Sequence, residues 1–209
     1  MTRRASCRMA GLVGLVVTSG CALLSKSDPI TPRYFTPEPV AATHADPVAD
    51  SGLELRFGRV SAGASIRDRM AYRDSTYEVG YYDERLWTDK PEAYVKRALA
   101  HALFDRRGVR QILSGIGSTL DVNVVAFEEI RQPAHLGRVE LAYEVYDDRV
   151  VRLSRSVVVD RPIAEAKGDA QANAVVQALA EAMSAAVDAV ADSTVGELHA
   201  ESAAARTTP

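Results

Sequence analysis

Cysteine is nearly absent from this 209-residue chain, with only two present. A disulfide scaffold and a four-thiolate zinc site are both excluded by that count. Histidine is scarce as well: His44, His101, His135 and His199 are scattered with no ligand-like spacing. No sign of charge dominates, since 25 basic side chains face 28 acidic ones for a net of −3. A nucleic-acid binder carries a strong basic surplus, so that class is set aside. Long apolar runs are also lacking; none reaches the roughly 20 residues of a membrane-spanning helix. What remains is an ordinary globular composition, 47% hydrophobic and 25% charged, large enough for one domain with extensions.

The first twenty residues carry an address. Arg3, Arg4 and Arg8 precede the almost uncharged stretch Met9 to Val17, and small residues Thr18-Ser19-Gly20 lead to Cys21. This is the positive, apolar and small-residue order of a secretory signal. The run Val16-Val17-Thr18-Ser19-Gly20-Cys21 resembles a bacterial lipobox, with Thr18 where leucine is usual. In such a site the cysteine thiolate takes a lipid and becomes the new N-terminus. Residues 1–20 therefore read as a lipoprotein signal peptide and Cys21 as the lipid attachment site. Ala22, where inner-membrane lipoproteins often carry aspartate, points to the outer membrane with the domain on its periplasmic face. Loss of residues 1–20 removes three arginines and no acid, which leaves a net charge of −6. A chain of that sign draws little help from anionic lipid, so the acyl chains must provide the anchorage, and more than one is needed.

Residues 21–51 form a tether rich in proline: Pro29, Pro32, Pro37, Pro39 and Pro47. Fully stretched, thirty such residues span about 90 Å. Arg33-Tyr34-Phe35-Thr36 stands out within the tether as a candidate first strand.

The folded domain is expected over 52–192. Leu53–Val60 alternates as a strand does. Met70–Arg73 and Thr76–Tyr82 flank Asp74-Ser75, a candidate two-residue turn. Asp89 as N-cap, with Pro91 and Glu92 after it, opens a helix whose apolar face is Val95, Leu99, Ala102 and Leu103. Gly108 ends it. Leu120–Phe127, Val139–Tyr146 and Arg149–Val159 are strands, the last two a hairpin around Asp147-Asp148. Glu140 and Glu144 are expected to pair with Arg152 and Arg155 across it. An alanine-rich helix from Asp169 to Val190 carries Val176, Leu179, Met183, Val187 and Val190 on one stripe. Residues 193–209, small and polar, read as a disordered tail. The fold class is α/β (α+β), a single mixed or antiparallel sheet with two helices packed on one face.

Catalytic chemistry finds no support in the sequence. Ser114-Gly115-Ile116-Gly117-Ser118 lacks the Gly-Lys-Ser/Thr ending of a phosphate loop and reads as a turn. His101 and Asp105 fit a solvated helix contact better than a base and its orienter. Asp83-Glu84 and Glu128-Glu129 are adjacent pairs, whereas glycosidase acids face a substrate from different elements; exposed loop charge suits them better. His135 reads as a loop residue. Neither a catalytic residue nor a metal ligand is expected, and no cofactor beyond the covalent lipid on Cys21. Tyr72, Tyr77, Tyr81, Tyr82 and Trp87 are the better hint. Core packing suits Tyr77 and Trp87, while Tyr81 and Tyr82 are balanced between core and surface. Tyr81, Tyr82 and Trp87 are the candidate interaction surface.

The pattern Arg69-Met70-Ala71-Tyr72-Arg73, Tyr77-Glu78-Val79, Tyr81-Tyr82-Asp83-Glu84-Arg85-Leu86-Trp87 and then a proline-led helix resembles the ABC-type transport auxiliary lipoproteins. These are the PqiC-like lipoproteins of bacterial lipid-transport systems, and Arg33–Thr36 resembles their short aromatic segment ahead of the domain. The resemblance implies a non-enzymatic outer-membrane lipoprotein. It implies as partners an inner-membrane ABC transporter, with its permease and ATPase, and a periplasmic MCE-domain protein. Phospholipid or a similar hydrophobic cargo would move between the membranes, powered by the ATPase. Ring-like homo-oligomers also belong to that picture. Two other readings stay open: a lipoprotein that assists outer-membrane assembly, and a small solute-binding lipoprotein.

Overall fold

The computed structural model describes residues 30–38, 48–148 and 150–207. Cys21, the expected signal peptide and most of the expected tether lie outside the described residues. Among the described residues, eight strands and two helices follow in the order β1 (Arg33–Phe35), β2 (Glu54–Ala62), β3 (Arg69–Arg73), β4 (Val79–Trp87), α1 (Pro91–Ala100), β5 (Arg110–Ile112), β6 (Thr119–Ile130), β7 (Leu136–Tyr146), β8 (Val151–Pro162) and α2 (Asp169–Thr207). A π-helical turn, His101–Asp105, extends α1.

The strands make one mixed sheet. Strand β6 is its spine. It runs antiparallel to β7 from Thr119↔Tyr146 to Ile130↔Leu136, and β7 pairs with β8 in turn. The other edge of β6 is shared between two partners. Its first half lies parallel to β2, which carries β5; its last residues lie parallel to β3, which carries β4 and then β1. The expected single mixed sheet is therefore present, with both helices on one face and in contact with each other. Alternation explains which side they cover: Leu120, Val122 and Val124 are buried while Asn123 and Val125 are exposed.

Strand β1 falls where the aromatic run of the tether predicts it, with Phe35 paired to Trp87 and Tyr34 to Leu86. Its three residues close the sheet edge that β4 would otherwise leave open. Proline on both sides of this run, at Pro32 and Pro37, keeps the strand short.

Helix α1 buries Tyr94, Val95 and Leu99, and Ala102 and Leu103 continue the same face. Its start differs in detail from expectation. Lys90 occupies the N-cap without a side-chain bond, because Asp89 is drawn away to Arg97 at 2.8 Å. Gly108, at φ +62°, ends this segment, and Val109 N–H bonds back to Leu103 O at 3.1 Å.

Three further expectations change. The turn after β3 spans residues 74–78 rather than two residues, since Arg73 pairs with Val79. Across the β7–β8 hairpin, Glu140 faces Val158 and Glu144 faces Ser154, so neither stands opposite Arg152 or Arg155. Ser154 Oγ donates to Glu144 at 3.0 Å, and Arg152 turns to Asp147 at the hairpin tip. The predicted tail is helical: α2 continues to Thr207. Leu198 is buried, Thr194 Oγ1 donates to Val190 O at 2.8 Å, and Ser118 Oγ donates to Glu201 at 2.7 Å. Alanine, the best helix former, outweighs the low hydrophobicity of residues 193–207.

By length and composition α2 resembles a membrane span, with an 18-residue window of mean hydropathy 1.4, yet half of that window is buried inside the domain. Its apolar face is committed to the core through Val175, Leu179, Met183, Val187 and Val190. Val176, also on the expected stripe, is half-buried and packs against the edge of that core.

Candidate functional site

Two features rise above the packed core: a cation–aromatic cluster at one end of the sheet and a long apolar groove. The cluster is built where β3, β4 and β6 meet. Register places Tyr72 beside Glu129 and beside Gly80, so these positions and Tyr82 share the helix-bearing face. Glu129 is only 3% exposed. Its Oε2 accepts from Tyr82 Oη at 2.6 Å, and its Oε1 lies 2.6 Å from His135 Nε2. Arg131 stacks over Tyr72 at 3.5 Å and lies 5.0 Å from the Tyr82 ring; Arg85 covers Tyr82 at 3.9 Å. Guanidinium planes over phenol rings gain both dispersion and quadrupole attraction. Burial, then the bond to Glu129, holds the Tyr82 phenol above its ordinary pKa.

On the opposite face Glu128 is buried too, forked to Arg73 Nε at 2.8 Å and Nη2 at 3.2 Å. Both members of the Glu128-Glu129 pair are thus internal, contrary to the exposed loop charge expected of them. Each carboxylate is compensated by cations and donors. The signal that could have revealed this is alternation: a strand extended past Phe127 puts the two acids on opposite faces.

The aromatic candidates separate. Trp87 is 3% exposed and packs edge-on against Tyr94 and Phe127, with centroids 6.3 and 5.3 Å away. It belongs to the core and offers no surface. Tyr77, expected inside, is 96% exposed at the tip of the 74–78 turn. Tyr81 is half-buried on the opposite face from Tyr82; its Oη donates to Ser65 O at 2.6 Å. Tyr81 and Tyr82 therefore do not share one contact surface, because consecutive strand residues diverge. His101 and Asp105 sit 3.0 Å apart on exposed helix, as a solvated pair does. Ser114–Ser118 is the loop between β5 and β6. Among the described residues no three His, Cys, Asp or Glu side chains gather as a metal site.

The groove lies between α1, α2 and the segment Tyr34–Glu38, and its volume is about 1120 Å³. Phe35, Ala98, Val176, Ala180, Met183 and Val187 supply apolar lining. Its charged rim is internally paired. Arg97 holds Glu38 at 2.8 Å as well as Asp89, and Arg106 pairs with Asp188. These two carboxylates raise the Arg97 pKa, the bond to Glu38 most, and Arg97 in turn holds the Asp89 carboxyl below its usual range. Arg33 pairs with Asp169 at the start of α2. These contacts pin residues 33–38 of the tether against both helices and so make one wall of the groove. Sequence reading did not find the groove, because it depends on how three distant segments meet.

Residues 36–192 match the family described as the ABC-type transport auxiliary lipoprotein component. Among solved structures, the chain is similar to protein XCC0632 from Xanthomonas campestris, with a TM-score of 0.63 and 20% identity over 72% of this chain and 88% of that one. An uncharacterised protein of known structure shares the fold at TM-score 0.60 and 14% identity, over 78% of this chain and 99% of its own. Protein CT253 from Chlamydia trachomatis follows at TM-score 0.50 and 8% identity, over 70% and 98%. No curated protein matches the sequence. These structural likenesses establish the fold, and the family match covers the domain from residue 36 to residue 192, leaving out β1 and the last turns of α2. The chain belongs to the ABC-type transport auxiliary lipoprotein family and is an accessory component of ABC-type transport.

Proposed function

We propose that the protein is an outer-membrane lipoprotein, anchored through lipid on Cys21, that serves an ABC/MCE-type phospholipid transport system without catalysing a reaction. The observation that carries this reading is the family match over residues 36–192, joined to a lipobox-like Cys21 upstream. The ATPase and permease in the inner membrane supply energy and passage. An MCE-domain protein spans the periplasm, and this domain receives its end at the outer membrane. The tether sets the domain's reach, since residues 22–29 separate Cys21 from the first described residue, Ile30. Paired charges and a short, proline-bounded edge strand suit a domain that must stay soluble beside a membrane.

Palmitate labelling with density-gradient separation of the two membranes tests the anchoring. The expected result is labelled protein in the outer-membrane fraction, with label and membrane association both lost in Cys21→Ala. Unlabelled protein released in soluble form, or labelled protein confined to the inner membrane, contradicts it.

A further inference from the structure

The groove between α1, α2 and the segment Tyr34–Glu38 lies where core meets surface: Met183 and Val187 are core side chains that reach it, while Val176 and Ala180 on α2 and Phe35 on β1 are half-buried along it. We infer that it holds one acyl chain of a phospholipid drawn from the membrane that carries the anchor. This rests on the reading that Cys21 is that anchor.

Length is the first argument. The groove follows α2 from Asn173 to Val187, and at the helical rise this is about 21 Å, which matches an extended long-chain fatty acyl group. Surface chemistry is the second. The carbon-rich lining of Val176, Ala180, Met183 and Val187 comes from one stripe of α2, and Phe35 faces it from β1. The rim arginines are already bound to carboxylates, Arg97 to Glu38 and Arg106 to Asp188. The site therefore selects neither sign of charge; it rewards removal of apolar surface from water. A headgroup left at the open mouth stays hydrated while one chain is sheltered.

Position chooses the source. The wall Tyr34–Glu38 lies within the tether, a short way along the chain from Cys21. Nine residue steps separate Cys21 from Ile30, which is about 30 Å at full extension. The groove is thereby held within reach of a bilayer surface, and phospholipid is the concentrated apolar material there. A partner helix would have to arrive from the periplasm and displace that supply.

Photo-crosslinking on the full-length protein in its native envelope tests the proposal. Benzoylphenylalanine is placed at Val176 or Ala180 in the groove, and at Asn123 on the opposite sheet face as control. After irradiation, intact mass and peptide mapping identify the adduct. Phospholipid adducts at Val176 and Ala180, exceeding those at Asn123 by an order of magnitude, are the expected result. Ala180→Trp, which fills the groove, should suppress the adduct at Val176 without lowering the melting temperature. Cys21→Ala protein, purified and mixed with phosphatidylethanolamine–phosphatidylglycerol vesicles, should regain it. Normal membrane anchoring with no lipid adduct overturns the groove assignment and leaves the anchor intact. A soluble wild-type protein that still forms adducts with added vesicles overturns the anchor and leaves the groove. Adducts to another protein, to the chain's own Cys21 lipid, or equally at Asn123 each overturn the assignment.

Discussion

Tyr82 Oη donates a 2.6 Å hydrogen bond to Glu129, whose second oxygen lies 2.6 Å from His135 Nε2. One buried carboxylate thus ties strand β4 to the loop that joins β6 and β7. Tyr82→Phe leaves a buried acceptor short of a donor. The expected cost is about 1–2 kcal/mol in urea denaturation. Because the Tyr82 pKa is raised in the folded protein, its contribution is complete below the unfolded tyrosine pKa and is lost as pH rises through the folded one. The stability difference between wild type and Tyr82→Phe should therefore shrink only at alkaline pH.

Arg138 and Asp160 form a two-point pair across the β7–β8 hairpin, at 2.8 Å on each oxygen. The bond to Arg138 holds the Asp160 carboxyl below its usual pKa. Its contribution is present above the unfolded aspartate pKa and disappears as pH falls through the folded value. Asp160→Asn should flatten the acid side of a stability-against-pH curve and change nothing in its alkaline limb.

Trp87 and Tyr77 should behave oppositely despite lying ten residues apart. Trp87→Ala opens a cavity between Tyr94 and Phe127 and should cost about 3–5 kcal/mol. Tyr77→Ala, at an exposed turn tip, should stay within about 0.5 kcal/mol. Thermal denaturation of the two variants checks both.

Leu198 tests the last turns of α2. It is buried, so Leu198→Ala should cost about 2–3 kcal/mol, and amides of residues 193–200 should be protected from hydrogen exchange. A disordered tail would show neither effect.

The sequence carried the fold wherever a pattern was local. Strands β6 to β8 and the core faces of α1 and α2 announce themselves by period, and β1 by an aromatic pair between prolines. The failures came from tertiary partners. Asp89 would cap α1, but Arg97 claims it. Arg152 would cross the hairpin, but Asp147 lies nearer along the chain. Glu128 and Glu129 look like surface charge until Arg73, Tyr82 and His135 converge on them. The groove was beyond local pattern because its walls come from residues 34–38, 97–106 and 173–187. Residues 193–207 read as a tail by their low hydrophobicity, but the helix propensity of alanine and the buried Leu198 keep them helical.

The central claim is that this lipoprotein works with an ABC transporter and an MCE-domain protein from a lipid-anchored position. Its most direct test is crosslinking in the native envelope, affinity purification of the tagged full-length protein, and mass spectrometry, with Cys21→Ala in parallel. The account predicts an MCE-domain protein or ABC subunits in the wild-type sample and their depletion in Cys21→Ala. Recovery of β-barrel assembly proteins alone, or of no partner, would contradict it.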